Sequence, residues 1–294
     1  MKVTPFRDLE PRERVVAVGT FDGVHLGHRE VIAGADTVLT FDPHPMSVTA
    51  PERAPMLLTS PERKAELVAS LGVEEMVVVS FDQEFAKHTA EQFIDEVLVD
   101  RLGARRIRVG ANFGFGQKAQ GRPELLLADD RFETDVMPLF EFDGAPVSSS
   151  RVRTLLRGGE IAQANRLLGT PYLFSAVVQH GEKRGRELGF PTANLIPTAG
   201  YCTPGHGVYA GRVQLDRGQT CLAAINVGMR PMFESELGEL IEAYLLDFDG
   251  DLYGQQLRVE FIERLRGEES FESVEALKLQ MAADVDATRA LVAG

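Results

Sequence analysis

A chain of 294 residues with 44% apolar content exceeds the common domain size, so two medium domains are expected. Forty-four acidic against 31 basic residues leave a formal charge of −13, which repels a nucleic-acid backbone. No apolar run reaches the roughly 18 residues of a membrane span, and Met1 to Asp8 lacks the apolar core of a signal peptide, so a cytoplasmic chain with neither nucleic acid nor membrane as partner is expected.

From residue 15 to about 140, strand-like runs near 15–18, 37–41, 76–81 and 105–109 alternate with helical patterns. That alternation predicts a parallel sheet covered by helices. The first run, Val15 to Val18, leads into Gly19-Thr20-Phe21-Asp22-Gly23-Val24-His25-Leu26-Gly27-His28, where a strand turns into a helix. Helix starts favour anions because their first N–H groups are unpaired and the dipole is positive there. His25 and His28 add imidazole donors, suited to the charge that builds on a phosphate as a bond to it breaks. The helix that follows, His28 to about Gly34, is short for a crossover between parallel strands.

Further along, Ser60 as N-cap, Pro61 at the first helical position and Gly72 past the end mark one helix. Thr89 and Gln92 form a capping box for another, which closes at Gly103. Arg101, Arg105, Arg106 and Arg108 make a basic cluster that fits either a solvated face or a small phosphate site. A third helical stretch, Ser149 to Leu168, is broken at Gly158-Gly159 and leads through Gly169-Thr170-Pro171 into a different texture.

From Tyr172 the apolar runs are short, at 173–179, 207–215, 220–227, 240–248 and 256–265, with glycine and proline between them. This predicts an antiparallel barrel or sandwich. A second phosphate-handling signature, Arg184-Gly185-Arg186-Glu187-Leu188-Gly189-Phe190-Pro191-Thr192-Ala193-Asn194, lies within this half. A final helix from Ser273, with Leu277, Met281, Val285, Thr288 and Leu291 at helical spacing, is expected to pack on the barrel. Cys202 and Cys221 show no CxxC spacing and are expected to be free thiols.

The turn with paired histidines resembles the HxGH signature of the nucleotidyltransferase superfamily. It is joined in order by Thr40-Phe41-Asp42-Pro43-His44-Pro45, Val109 to Gly116 and Val147-Ser148-Ser149-Ser150-Arg151-Val152-Arg153. The second half carries Gly189 to Asn194, Gly207-Val208-Tyr209-Ala210, Asn226 to Pro231 and Leu245 to Gly254, which resemble a riboflavin kinase. Together these strings resemble the bacterial bifunctional riboflavin kinase/FAD synthetase family. The resemblance implies a Rossmann-like α/β HxGH nucleotidyltransferase domain over 1–170, then an antiparallel β-barrel riboflavin kinase domain with a C-terminal helix over 171–294.

The implied chemistry is phosphorylation of riboflavin to FMN by ATP, then adenylylation of FMN to FAD with release of pyrophosphate. The resemblance implies that His25 and His28 contact the ATP phosphates, that Gly19, Phe21, Asp22, Gly23 and Gly27 form the nucleotide turn, and that Ser149, Ser150 and Arg151 hold the departing pyrophosphate. It likewise implies His44, Asn112 and Phe113 as flavin contacts, and Lys183, Arg184, Gly185 and Arg186 as contacts to the second site's nucleotide. Thr192 and Asn194 supply hard oxygens that suit Mg²⁺, and the family makes Glu242 the general base. Two other readings stay open: a kinase whose first domain is weak because its crossover helix is short, and a flavin- or nucleotide-binding protein without turnover.

Overall fold

The strand β2 (Arg14–Val18) is buried along its whole length, as a strand covered by helices on both faces must be. In the computed structural model it stands inside a six-stranded sheet in the order β1-β4-β3-β2-β5-β6. The other strands of the sheet are β1 (Lys2–Pro5), β3 (Thr37–Asp42), β4 (Glu75–Ser80), β5 (Ala104–Gly110) and β6 (Glu133–Met137); β2 pairs with β3 and β5, and every pairing in the sheet is parallel. The structure describes residues 1–180, 189–215, 218–229 and 239–292.

Alternate residues of the central strands serve opposite faces. Val16, Val18, Leu39, Val77 and Ile107 pack with Phe93, Ile94 and Leu98, while Val15, Ala17, Val38 and Met76 pack with Ile32, Leu67 and Val68. The helices supplying those contacts are α1 (Leu26–Ile32), α3 (Pro61–Ala69) and the run that opens as α4 (Ala90–Gln92) and continues in wider π-type turns over Phe93–Arg101. Both expected caps form: Ser60 Oγ accepts from the Arg63 N–H at 3.1 Å, and Thr89 and Gln92 bond reciprocally. Short helices α2 (Pro45–Thr49) and α5 (Pro123–Leu127) and a hairpin of β7 (Glu141–Phe142) and β8 (Ala145–Pro146) complete this part.

Within this six-stranded sheet, the two strands that composition did not announce, β1 and β6, lie at the edges. With less of their surface covered they need no apolar run, and both are largely polar or exposed. The basic cluster is taken up by neighbours here: Arg106 pairs with Glu133, Arg108 with Asp135 at 2.8 Å, and Arg101 lies over the Phe6 ring.

Arg14 is 1% exposed and donates to Glu75 from Nη2 at 3.1 Å. Burial alone would raise the Glu75 pKa, but the Thr4 hydroxyl at 2.7 Å and the guanidinium groups of Arg14 and Arg12 outweigh it and hold the carboxyl below its usual range. A carboxyl depressed in the folded state stabilises above its unfolded pKa, and that stabilisation is lost as pH falls through the folded value. Glu75→Gln is therefore expected to destabilise the protein by about 3 kcal/mol at neutral pH, because the Arg14 charge stays buried without its partner. Denaturant titrations should show wild type and variant converging in acid. Equal stability at pH 7 would mean that the carbonyls of Leu102 and Glu10, which Arg14 also reaches, suffice.

The compact units are Met1–Ser149 and Ser150–Gly294. Nearly all of α6 (Ser149–Arg157) and the whole of α7 (Ile161–Leu168) thus fall with the second unit, whereas a boundary at 170 puts them in the first. The reason is visible at Asn165, which donates to the Phe261 carbonyl at 2.8 Å and accepts from the Tyr172 N–H at 2.7 Å, tying α7 to the strands that follow.

Those strands are β9 (Tyr172–Gln179), β10 (Thr192–Leu195), β11 (Gly207–Gln214), β12 (Thr220–Met229), β13 (Glu239–Leu245) and β14 (Gln256–Arg266). They close an antiparallel barrel in the order β10-β13-β12-β11-β14-β9. Helix α8 (Val274–Val292) packs on β11, β12 and β14. Its inward face agrees with the expected one at Thr288, which is buried, and differs elsewhere: Leu291 is half-exposed, while Asp284 and Val292 are buried. The helix seats on Arg266 at the end of β14, whose guanidinium bonds both Asp284 oxygens at 2.8 to 3.2 Å, so this face needs a carboxylate where periodicity offers only apolar positions. Cys202 and Cys221 are buried free thiols, and no helix among the described residues is long and apolar enough to cross a membrane.

Candidate active sites

In the first unit the chain proceeds from β2 to β3 to β4 on one side of the sheet, then returns to lay β5 on the other side of β2. Where the winding reverses, the loops leaving the carboxyl ends of the two strands diverge and open a crevice. The loop after β2 is Gly19 to His25, and the loop after β5 carries Asn112 and Phe113. Both predicted sets therefore belong to one edge of the sheet.

The first loop is tightly wound. Phe21 and Val24 hold φ at +48° and +41°, and Gly23 at +87°. A left-handed β-branched valine is a strained conformation, of a kind kept where surrounding contacts over-determine it. Those contacts are present. The buried Asp22 carboxylate accepts from the N–H groups of Leu58 at 2.9 Å and Thr59 at 3.2 Å, and Thr59 Oγ1 accepts from the Gly23 N–H at 3.1 Å. Asp22 thus clamps the loop at 57–59 to the turn. Gly19 leaves room for the Phe21 ring, which lies 3.0 Å from where its Cβ would stand.

His25 caps α1: its Nδ1 accepts the backbone N–H of His28 at 3.2 Å. That bond leaves the proton of the neutral ring on Nε2, as a donor. The His28 ring stacks on it with centroids 3.6 Å apart and planes 16° from parallel, and the Phe21 ring meets His28 edge-on at 5.4 Å. A Cβ at Gly27 would stand 3.4 Å from the His25 ring, at ordinary contact distance. Helix α1 has only seven residues, yet it still buries Val31 and Ile32. Ser149 Oγ donates to the Asp22 carbonyl at 2.9 Å, so this serine reaches the same turn, while Ser150 and Arg151 begin the second unit.

His44 caps α2 through Nδ1 to the Met46 N–H at 3.2 Å and lines a cavity with Asp22, Thr40, Asp42, Thr59 and Lys64. Asn112 is exposed, and half-buried Phe113 stacks on Phe115 at 5.5 Å. Lys64 was not singled out by motif. Its position was nonetheless readable, because it precedes Leu67 and Val68, the buried pair of α3, by three and four residues and so shares their face.

In the second unit, burial alternates along β10 and from Leu240 onward along β13. Ile241, Ala243 and Leu245 of β13 point into the barrel, and Leu240, Glu242 and Tyr244 point outward at intermediate burial. Thr192 and Asn194 of β10 and Asn226 of β12 take the same outer face. The register sets Asn194 and Asn226 on either side of Glu242, and Thr192 opposite Tyr244. Asn226 Nδ2 donates to Glu242 Oε2 at 3.4 Å, and Phe190 meets Tyr244 edge-on at 5.3 Å. Asn226 is a second residue that sequence reasoning quoted without assigning it a role, though its alternation with buried Ile225 and Val227 was a usable signal.

Lys183, Arg184, Gly185 and Arg186 lie outside the described residues. In the stretch Pro204 to Gly207 the chain approaches protein backbone closely at Gly205. A Cβ there would stand 2.2 Å from the Arg157 carbonyl oxygen, and its N–H donates to the Leu156 carbonyl at 2.8 Å.

The family model described as FAD synthetase matches residues 8–151, and the one described as riboflavin kinase matches residues 168–292. A bifunctional riboflavin kinase/FMN adenylyltransferase from Listeria monocytogenes is 37% identical over 293 residues, covering 95% of this chain and 93% of its own. One of the same name from Pseudomonas fluorescens is 37% identical over 99% of this chain and 97% of its own. Among solved structures, a macrolide-efflux protein from Streptococcus pneumoniae superposes with a TM-score of 0.89 at 30% identity, over 98% of this chain and 99% of that one.

Proposed function

Because the chain belongs to the bifunctional riboflavin kinase/FMN adenylyltransferase family, and so is an enzyme of flavin cofactor synthesis with both activities, we propose how its residues divide the two reactions. The observation that carries the assignment is a cluster of candidate residues inside each unit. His25, His28 and Ser149 gather at the turn after β2, and Thr192, Asn194 and Glu242 share the outer face of two adjacent strands.

In adenylyl transfer, a phosphate oxygen of FMN attacks the α-phosphorus of ATP and the bond to pyrophosphate breaks. The reaction needs positioning and charge neutralisation rather than a covalent nucleophile. Nε2–H of His25 and the His28 imidazole donate to the oxygens on which charge accumulates, and Gly19 to Gly27 shape the turn around the nucleotide. Arg151 grips the departing pyrophosphate bidentately, with Ser149 and Ser150 beside it. His44, Asn112 and Phe113 hold the flavin.

In the kinase reaction the terminal ribityl hydroxyl of riboflavin attacks the γ-phosphorus of ATP, ADP leaves, and Glu242 accepts the hydroxyl proton. Asn194 and Asn226 flank that carboxylate and keep it in place. The hydroxyl of Thr192 and the amide oxygen of Asn194 fit Mg²⁺, which takes few protein ligands and completes its shell with waters and substrate phosphates. Bound there, the ion would neutralise phosphate charge. Lys183, Arg184 and Arg186 contact the phosphates of the same nucleotide. The reading places both reactions in the cytoplasm, with riboflavin, FMN and ATP as small-molecule partners, and the net charge of −13 argues against a nucleic-acid partner.

Incubation with riboflavin, ATP and Mg²⁺, with FMN and FAD separated by chromatography over time, is expected to show FMN rising first and FAD following with a lag. Chelation of the metal should stop FMN formation, and supplied FMN should be converted to FAD with one pyrophosphate released per turnover. FMN that accumulates without any FAD would contradict the role given to the first unit.

A further inference from the structure

Lys64 reaches from α3 into the floor of the cavity beside the histidine turn, and its surroundings are unlike those of a surface lysine. Its Nζ donates to the Thr20 carbonyl oxygen at 2.8 Å and lies 3.4 Å from Thr40 Oγ1. Thr40 Oγ1 donates to the same carbonyl at 3.1 Å. One backbone oxygen at the end of β2 thus receives two donors, one from α3 and one from β3. The titratable groups facing the ammonium are Asp22 on the turn, Asp42 at the end of β3 and His44 at the start of α2.

The consequence follows from peptide planarity. A carbonyl held at a fixed orientation fixes the whole plane between Thr20 and Phe21, one of the two sides of the φ torsion of Phe21. That φ is +48°, a conformation a phenylalanine does not adopt unaided. The Phe21 ring is in turn the edge-on support of His28. Two contacts joined by one peptide unit therefore connect the Lys64 ammonium to the stacked histidines, while its charge offsets the mutual repulsion of Asp22 and Asp42.

We infer that Lys64 is a positioning residue for adenylyl transfer: it locks the Thr20 carbonyl and thereby sets Phe21 and the His25/His28 pair for the nucleotide. The inference rests on the first-site reading given above. Burial pushes the Lys64 pKa down, and attraction to Asp22 and Asp42 recovers only part of the shift. The lysine therefore loses its charge below the ordinary lysine range.

The test compares Lys64→Met, Lys64→Arg and His28→Ala in the full chain, with FAD formation from supplied FMN and FMN formation from riboflavin measured separately. Lys64→Met is expected to lower kcat for FAD formation by about a hundredfold, the scale of a misplaced catalytic group. KM for FMN and ATP should change by no more than about threefold, since a positioning defect acts in the transition state. Lys64→Arg should recover most of kcat, and FMN formation should be unaffected in both variants. Lys64→Met within twofold of wild type, a loss confined to KM, or no recovery in Lys64→Arg would each overturn the inference. If Lys64→Met fails to fold, pH profiles of wild type and Lys64→Arg decide. Wild-type FAD formation should fall on an alkaline limb below the ordinary lysine range, and Lys64→Arg should lack that limb; identical profiles would overturn the inference. Should His28→Ala also leave FAD formation intact, the first-site reading fails; should it alone collapse, only the role of Lys64 does.

Discussion

Glu242→Gln is expected to lower FMN formation from riboflavin by about a hundredfold to ten-thousandfold, the usual cost of removing a positioned base. Conversion of supplied FMN to FAD should stay near wild type. The amide keeps the size and the outward placement of the side chain between Asn194 and Asn226, but it cannot take the ribityl proton. The rival carboxylates are less well placed. Asp247, Asp249 and Asp251 are exposed; Asp247 is bonded to Arg289 by two contacts of 2.7 Å, and Asp251 accepts the Tyr253 N–H at 3.0 Å. Steady-state rates for the four single amide variants separate these groups. More than half of wild-type turnover in Glu242→Gln, together with collapse of an aspartate variant, would move the base elsewhere on the barrel.

His28→Ala should cut FAD formation by about tenfold to a thousandfold while leaving FMN formation intact, because it removes a donor aimed at developing phosphate charge. The structure makes this variant easier to interpret than His25→Ala. The N-cap of α1 is a bond from the His28 backbone to the His25 ring, so truncating His28 keeps the cap, whereas truncating His25 removes cap and donor together. Rates of the two half-reactions, measured with riboflavin and with FMN as separate substrates, check the outcome. Comparable loss of both would mean that His28 supports the fold rather than the reaction.

How far the sites were legible depended on whether their residues sit in local patterns. His25 and His28 stand three apart at a strand-to-helix junction that the sequence marks, whereas Thr192 and Asn194, expected in an apolar loop and found in the short strand β10, were picked out with the help of the family resemblance. Asn226 and Lys64 join the same sites from 32 and 36 residues beyond the nearest of those groups. Asn226 arrives through the antiparallel register of β12 with β13, and Lys64 through a bond across to Thr20. The edge strands β1 and β6 escaped notice for a related reason, since partial cover places little demand on composition.

What the amino-acid order determined by itself is the succession of a helix-covered parallel sheet and an antiparallel barrel or sandwich, because hydrophobic period and turn chemistry are local properties written into each segment, whereas closure into a barrel was decided by the strand pairing. It also determined both helix caps and the two candidate motifs. Only the tertiary structure decided that α7 is fastened to the barrel through Asn165, that the inward face of α8 carries Asp284 against Arg266, and that a lysine holds the histidine turn. Each of these depends on pairing polar groups far apart in the chain. The free energy of such a pair comes from meeting its partner inside the fold, so no periodicity in one segment encodes it.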